Sequence, residues 1–443
     1  MIKPMAHQVV SLKFMEKRKE VFDQSDPGTG KTYVEIADFA RRHKKDGKAA
    51  LILCPKSLMH AAWANDIKKF APHLKVSLCY ALNRKASLEA KADVYIVNID
   101  GVKDLAKLPA AWFKKFSTCI IDESTSIKHA TSQRSKAAIK IRKYFDWVRL
   151  MSGTAACNGI CDLWHQYFWL DGGVRLGKTF FGFRSACCTP VQTGPSVNHL
   201  KWEDKEGIEL VVAELVKDIT IRHKFEDCVD IPENHRYAVS FQLSDKHTAI
   251  YKELEESSLA VVRETSVSAI NAAVLATKLL QAASGAVYND QGGYSTLSSE
   301  RYELALDLVE EREQSIVFYQ WDHQLEELVK EAGKRKLAHA TWNPDHPQIA
   351  DEFQEGKYQV LFAHPASAGH GLTLTKGSAT IWVSPTYNLE HFLQGLKRVH
   401  RIGQTQKTET IVVVAEDTRD EKVWTALQTK DRKLIKLLSE LEV

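Results

Sequence analysis

The stretch Asp26-Pro27-Gly28-Thr29-Gly30-Lys31-Thr32 holds residue types that handle phosphate. Gly28 and Gly30 let successive backbone N–H groups turn inward around phosphate oxygens, and the helical pattern that follows adds the positive end of its dipole. Lys31 then meets the terminal phosphates as a point charge, and the Thr32 hydroxyl ligates Mg²⁺. Ser25 stands where such a loop usually opens with glycine, and Gly-Thr-Gly also occurs as a plain helix entry, so the loop alone decides nothing.

Other groups can complete it. Asp122 and Glu123 follow the apolar run Thr118-Cys119-Ile120-Ile121 directly. An acid there can hold the Mg²⁺ water shell while its neighbour polarises the attacking water, although adjacent acids also end strands to no purpose. Arg398 and Arg401 are three residues apart and share a face if their segment is helical, flanked by Gln394 and by Gly403-Gln404. Two guanidiniums suit the charge spread over a transferring phosphoryl group; a solvated basic helix is the plainer account. Ser152-Gly153-Thr154 closes the run Trp147–Met151 and can relay between the acids and a partner lobe, or simply turn the chain. Gln8, one helix upstream of the phosphate loop, has an amide able to donate to and accept from an adenine edge at once.

Repeated strand–helix units would position these groups. Ala49–Cys54 is an apolar run closed by Pro55, followed by a helix carrying Trp63; further strands are expected at Val76–Tyr80, Asp93–Val97, Thr118–Ile121 and Trp147–Met151. Such alternation argues a parallel sheet wound on both faces, with ligands at the carboxyl ends of strands, where Lys56, Ser57 and Asn98 fall. Lys128, His129, Arg134, Lys136, Lys140, Arg142 and Lys143 then make a basic segment, a backbone-binding groove or a solvated helix face. From Asn158 to Arg222 the pattern fades into aromatic-rich helix and loop, with an exposed insertion over Thr189–Asn198. Arg222-His223-Lys224 and Asp230-Ile231-Pro232 read as the linker, dividing the chain into 1–222 and 223–443. Leu243–Ala283 is helical in pattern, and alternation resumes with strands at Ser315–Tyr319, Gln359–Ala363, Ala379–Val383 and Thr410–Ala415 before a charged helix from Arg419 to Glu442.

Composition narrows the class without naming it. A chain of 443 residues, 44% hydrophobic and 26% charged, is of ordinary globular make-up and too long for one core. A net charge of +4 permits a nucleic-acid partner without arguing for one. Eight cysteines without a paired Cys-x-x-Cys set predict reduced thiols and no zinc. The start lacks a signal-type apolar core and no apolar run approaches a membrane span, so a cytoplasmic protein is expected, in a bacterial cytosol or that of a phage host.

In order and spacing the motifs resemble helicase superfamily two, and within it the Swi/Snf family of DNA translocases. The matching elements are Pro4…His7-Gln8, the phosphate loop, Pro-Lys-Ser-Leu…Trp, Asp-Glu-Ser-Thr-Ser-Ile-Lys, Ser-Gly-Thr-Ala…Asn158, Ser-Ala-Gly-His-Gly-Leu-Thr-Leu and Gln-x-x-x-Arg-x-His-Arg-Ile-Gly-Gln. The acidic box departs by ending in Ser124-Thr125 rather than Ala-His, and Ala155 stands where proline is usual. The resemblance is to a minimal, stand-alone bacterial or phage-type member. It implies an α/β protein of two RecA-like lobes, each a mostly parallel sheet with helices on both faces, an ATP cleft between them and helical insertions in the middle. It further implies Gln8 on adenine, Gly371 at the nucleotide, and Gln394, Arg398 and Arg401 acting with Lys31, Asp122 and Glu123. DNA contacts are implied near Lys56, Ser57, Asn98, Gln320, Ser367, Gly369 and Thr373. The activity expected is that of a monomeric, Mg²⁺- and ATP-dependent translocase on duplex or branched DNA, remodelling forks or junctions. Alternatives are a strand-separating helicase, the motor of a restriction system, or an ATP-gated DNA clamp that does not cycle.

Overall fold

The computed structural model describes residues 3–192, 200–264, 269–289, 293–368 and 372–442. The chain divides into two compact units. The first takes in the chain up to Thr189, Trp202–Asp230 and the chain from Arg432 on; the second is centred on Ile231–Asp431. The division falls after Asp230, not at 222, because His223 and Phe225 are bonded into the first unit, as shown below.

The first unit is built on a seven-stranded sheet: β1 (Glu20–Asp23), β2 (Ala49–Cys54), β3 (Val76–Cys79), β4 (Val94–Asn98), β5 (Phe116–Asp122), β6 (Trp147–Met151) and β7 (Thr220–Ile221). Their order is β3-β4-β2-β5-β6-β1-β7, and every pairing is parallel. β2 and β5 are buried along their whole length, as strands covered on both faces must be. On one face Ile36, Phe39, Trp63 and Ile67 pack on Ala50, Ile52, Ile96 and Ile120. On the other, Trp112 packs edge-on against Tyr95, and Trp112 and Phe113 lie tilted against Phe116. Two helices frame the phosphate loop, α1 (Ala6–Met15) before it and α2 (Lys31–Asp46) after it. α2 stops at Gly47, whose φ of 66° takes the left-handed conformation that ends a helix.

The second unit carries a six-stranded parallel sheet: β8 (Asn234–Phe241), β9 (Ser315–Phe318), β10 (His339–Thr341), β11 (Val360–Ala363), β12 (Ala379–Trp382) and β13 (Thr408–Ala415), in the order β8-β13-β12-β9-β11-β10. Tyr302, Leu306, Val309 and Leu328 from two helices close over Val317, Val360, Phe362, Ile381 and Val413. The helical stretch expected over Leu243–Ala283 is described as two helices, Asp245–Glu264 and Ala269–Ala283.

The aromatic segment after Asn158 is mostly core, with Trp164, Tyr167 and Trp169 buried and Phe181 70% exposed. Of the insertion expected over Thr189–Asn198, residues 193–198 lie outside the described ones; the flanking strands are Cys188–Gln192 and Leu200–Asp204. The basic segment is partly spoken for: Lys128 pairs with Asp162, Arg134 with Asp100, and Arg142 donates to the carbonyls of Trp169 and Leu170. Among the described residues, no helix is long and apolar enough to cross a membrane.

Candidate active site

Three motifs of the first unit are brought level by strand register. Asp23 at the end of β1 is paired with Met151 of β6, and Met151 with Asp122 of β5. The phosphate loop, the Ser152-Gly153-Thr154 turn and the acids therefore leave neighbouring carboxyl ends of one sheet, where open α/β sheets bind ligands.

The loop from Gln24 to Gly30 is held from several sides. Gly28 and Gly30 have φ of 94° and 79°, a region that a residue with Cβ adopts at a cost. A Cβ on Gly28 would stand 2.8 Å from the Phe225 ring, and one on Gly30 would run into Gln8 Nε2. Asp26 accepts from Arg222 Nη1 at 2.8 Å and from the Phe225 N–H at 3.0 Å. The Ser25 hydroxyl accepts the His223 N–H at 3.0 Å, which explains a serine where glycine is usual: the side chain is buried with a bond to make. His7 bonds Thr29 O at 2.7 Å, and Ser11 bonds His223 Nε2 at 2.9 Å. Arg222 and His223, read from sequence as linker and marked there only by the Arg-His-Lys cluster, thus brace the loop together with Phe225, which no sequence signal marked.

Lys31 Nζ donates to Ser25 O at 2.6 Å and Asp26 O at 3.1 Å, so the ammonium sits over the loop. Thr32 occupies the first turn of α2 and is partly exposed. Gln8 is buried; its Oε1 accepts from Met5 N–H at 3.0 Å, and its Nε2 reaches Thr29 O and Gly30 O at 3.4 and 3.5 Å. Its amide braces the loop, and reading adenine would exchange these long bonds for base contacts.

Asp122 is 9% exposed, and burial raises its pKa, opposed by the Trp63 indole, by Lys31 and by the Glu123 N–H. Glu123 has φ 53° and ψ 63°. A left-handed backbone at a glutamate costs about 1–2 kcal/mol and turns the side chain out of the strand's alternation, so the second acid leaves β5 in a new direction. Gly153 lies against the phosphate loop: a Cβ there would be 2.7 Å from Pro27 Cδ and 3.2 Å from Ser25 O. Ser152 donates its N–H to Asp23 O at 3.1 Å, and Thr154 donates its N–H to Ser152 Oγ at 3.2 Å.

In the second unit the expected helical face for Arg398 and Arg401 is corrected. The helix Leu389–Leu396 ends before both, and the chain tightens into turns with Arg398 N–H on Gly395 O and Arg401 N–H on Val399 O. Gly395 lets the helix lie tight on the sheet, since a Cβ would meet the Trp382 ring at 2.7 Å. The guanidiniums still converge: Arg398 Nη1 and Arg401 Nη1 both donate to Leu372 O, at 3.2 and 2.7 Å. Burial lowers the pKa of Arg401, and it forms no ion pair among the described residues. Gln394 is 3% exposed, with neither amide atom hydrogen-bonded, a buried polar group that a ligand would satisfy.

Among the expected DNA contacts, register sets Lys56 and Ser57, both exposed after β2, beside Asn98 at the end of β4, since Cys54 pairs with Asn98. Asn98 Oδ1 caps the next turn through the Asp100 N–H at 3.1 Å. Gln320 follows β9 and donates to Pro385 O at 2.9 Å; Ser367 and the exposed Thr373 follow the neighbouring β11. Gly369 and Gly371 lie outside the described residues.

A glycine-rich loop at a helix N-terminus with acids in register beside it, and an arginine pair in a second parallel-sheet unit, accord with a helicase-type ATP hydrolase. The sequence model of the SNF2-related domain matches residues 7–285, and that of the helicase conserved C-terminal domain matches 300–403. The chain belongs to the SNF2-related family. A protein designated p41 of Acyrthosiphon pisum secondary endosymbiont phage 1 is 30% identical over 445 residues, covering 95% of this chain and 94% of its own. An uncharacterized ATP-dependent helicase of Mycoplasma genitalium is 24% identical over 87% of this chain. The SWI/SNF-related matrix-associated actin-dependent regulator of chromatin subfamily A-like protein 1 of Xenopus tropicalis is 25% identical over 91% of it. The chain spans only 37% and 42% of those last two proteins. The solved Sulfolobus solfataricus SWI2/SNF2 ATPase core in complex with dsDNA is 20% identical with a TM-score of 0.47, covering 99% of this chain and 93% of that one.

Proposed function

We propose that this protein is a Mg²⁺- and ATP-dependent translocase acting on duplex or branched DNA. The observation that carries the reading is the register Asp23–Met151–Asp122, which aligns phosphate loop, turn and acids at one sheet end. The loop's N–H groups and the α2 terminus bind the phosphates, and Lys31 exchanges the carbonyls of Ser25 and Asp26 for phosphate oxygens. Thr32 and Asp122 hold the metal, which when bound neutralises charge on the phosphates. Glu123 orients the attacking water as its base. Arg398 and Arg401, with Gln394 beside them, supply positive charge from the second unit, exchanging Leu372 O for the anion. Gly153, seated on Pro27, passes a change in the loop to the Ser152–Thr154 turn. The exposed Lys56 and Ser57 with Asn98, and Gln320, Ser367 and Thr373 on the second unit, meet DNA at the carboxyl ends of their sheets.

The test is ATP turnover with duplex, forked and single-stranded DNA and with RNA, alongside displacement of a triplex-forming strand. Duplex and forked DNA should stimulate hydrolysis and drive displacement. Stimulation by RNA alone overturns the reading, and turnover at background with every nucleic acid points to the non-cycling clamp.

A further inference from the structure

Trp63 lies outside the machinery assigned above, yet its indole reaches into it. The ring is 0% exposed, and its Nε1–H donates to Asp122 Oδ2 at 2.9 Å. The other carboxylate oxygen, Oδ1, accepts the Glu123 N–H at 3.0 Å. Donors from two separate elements therefore engage both oxygens, and the plane of the carboxylate is fixed.

The backbone that presents Trp63 is irregular in a way that serves this contact. A turn of α-helix over Lys56–Leu58 widens into a π-helical turn over Met59–Ala64 before α-helix resumes at Asn65–Phe70. Met59, Trp63 and Ile67 are all buried and each four residues from the next. In a regular helix, steps of four drift by roughly 40° around the axis, given 3.6 residues per turn. The extra residue taken up by a π turn draws that drift back. The wide turn thus keeps the three side chains on one line against Ile36, Ile52 and Ile96, with the indole at the end of β5. Apolar packing alone asks for no N–H at this place.

We propose that Trp63 is a positioning residue of the hydrolytic centre, its indole N–H orienting the Asp122 carboxylate toward the Mg²⁺ water shell. The inference rests on reading Asp122 as the metal-holding acid. Trp63→Phe keeps a ring and removes the donor. Calorimetry on the full chain compares its affinity for ADP with and without Mg²⁺. Metal-free affinity should stay within twofold of wild type, while the tightening caused by Mg²⁺ falls on the order of tenfold, the loss of one hydrogen bond to a charged acceptor. In turnover, kcat should fall more than KM for ATP changes. Asp122→Asn separates the two layers of the argument. If it retains the Mg²⁺ tightening, the reading of Asp122 fails and takes the proposal with it. If it loses the tightening and Trp63→Phe keeps it within twofold, the role of Trp63 alone is overturned. A measurement on the unmutated chain guards against a variant that does not fold. With ¹⁵N-indole-labelled tryptophan and saturating ADP, Mg²⁺ should shift an indole N–H resonance, and a spectrum in which none moves overturns the proposal.

Discussion

Replacing Gly153 by alanine tests whether the Ser152–Thr154 turn and the phosphate loop move as one body. Gly153 is not among the residues with positive φ, so alanine fits its backbone and the effect is one of space. The new methyl would stand 2.7 Å from Pro27 Cδ, 3.3 Å from Pro27 Cγ and 3.2 Å from Ser25 O. None of these is the loose end of a flexible side chain, and Ser25 O is also the acceptor that holds Lys31 Nζ at 2.6 Å. The loop must give way. Overpacking of this kind costs about 1–3 kcal/mol, and if the loop takes up the strain, nucleotide affinity falls about 5- to 150-fold. Calorimetric titration with ADP and a thermal melt read the two parts of the cost. Gly333→Ala is the control: nothing lies within 4 Å of its added Cβ, inside the helix Asp322–Lys334, and stability should hold or rise. Nucleotide affinity within twofold of wild type and an unchanged melt in Gly153→Ala would refute the mechanical link.

Glu123→Gln should bind ATP normally and hydrolyse almost none; wild-type turnover would remove Glu123 as the base. Arg401→Ala should lower kcat on the order of 10³-fold if it acts as an arginine finger, and a loss under threefold counts against that role. Glu35, wholly buried in α2, has its pKa raised to about 8, chiefly by desolvation, with Arg149 and Arg42 opposing and Asp38 and Asp23 adding to the rise. The folded state holds this proton more tightly than the unfolded chain, so stability is full below about pH 4.5 and declines toward pH 8, by up to about 1.4 kcal/mol per pH unit. Glu35→Gln should flatten the melting temperature between pH 5 and 8, and a wild-type protein that shows no such slope contradicts the assignment.

What could be read without coordinates followed from burial. Strands covered on both faces write themselves as apolar runs, which is why Ala49–Cys54 and Trp147–Met151 match from end to end. β1 escaped because Glu-Val-Phe-Asp offers two apolar residues among charges, and β8 because an edge strand alternates with polar residues facing out. The phosphate loop, acids and arginines stood out in the sequence as candidates, since each has a spacing of its own. Their braces were not. Phe225 lies some two hundred residues along the chain from Gly28, and only folding sets its ring against the loop. The Arg398–Arg401 spacing suggested a helix, and the chain instead leaves the helix at Leu396 and turns. The Trp63 bond to Asp122 depends on a wide helical turn that no local pattern announces.

One oxygen, that of Leu372, receives both guanidiniums of the second unit. A carbonyl carries only a partial charge, so for Arg401, stripped of much of its water and given no anion among the described residues, it is a makeshift companion. A phosphate offered to Arg401 competes with a weak rival rather than with a carboxylate among the described residues. In the proposed cycle that cation is docked but easily won over, able to trade the carbonyl for a phosphate and to return to it afterwards.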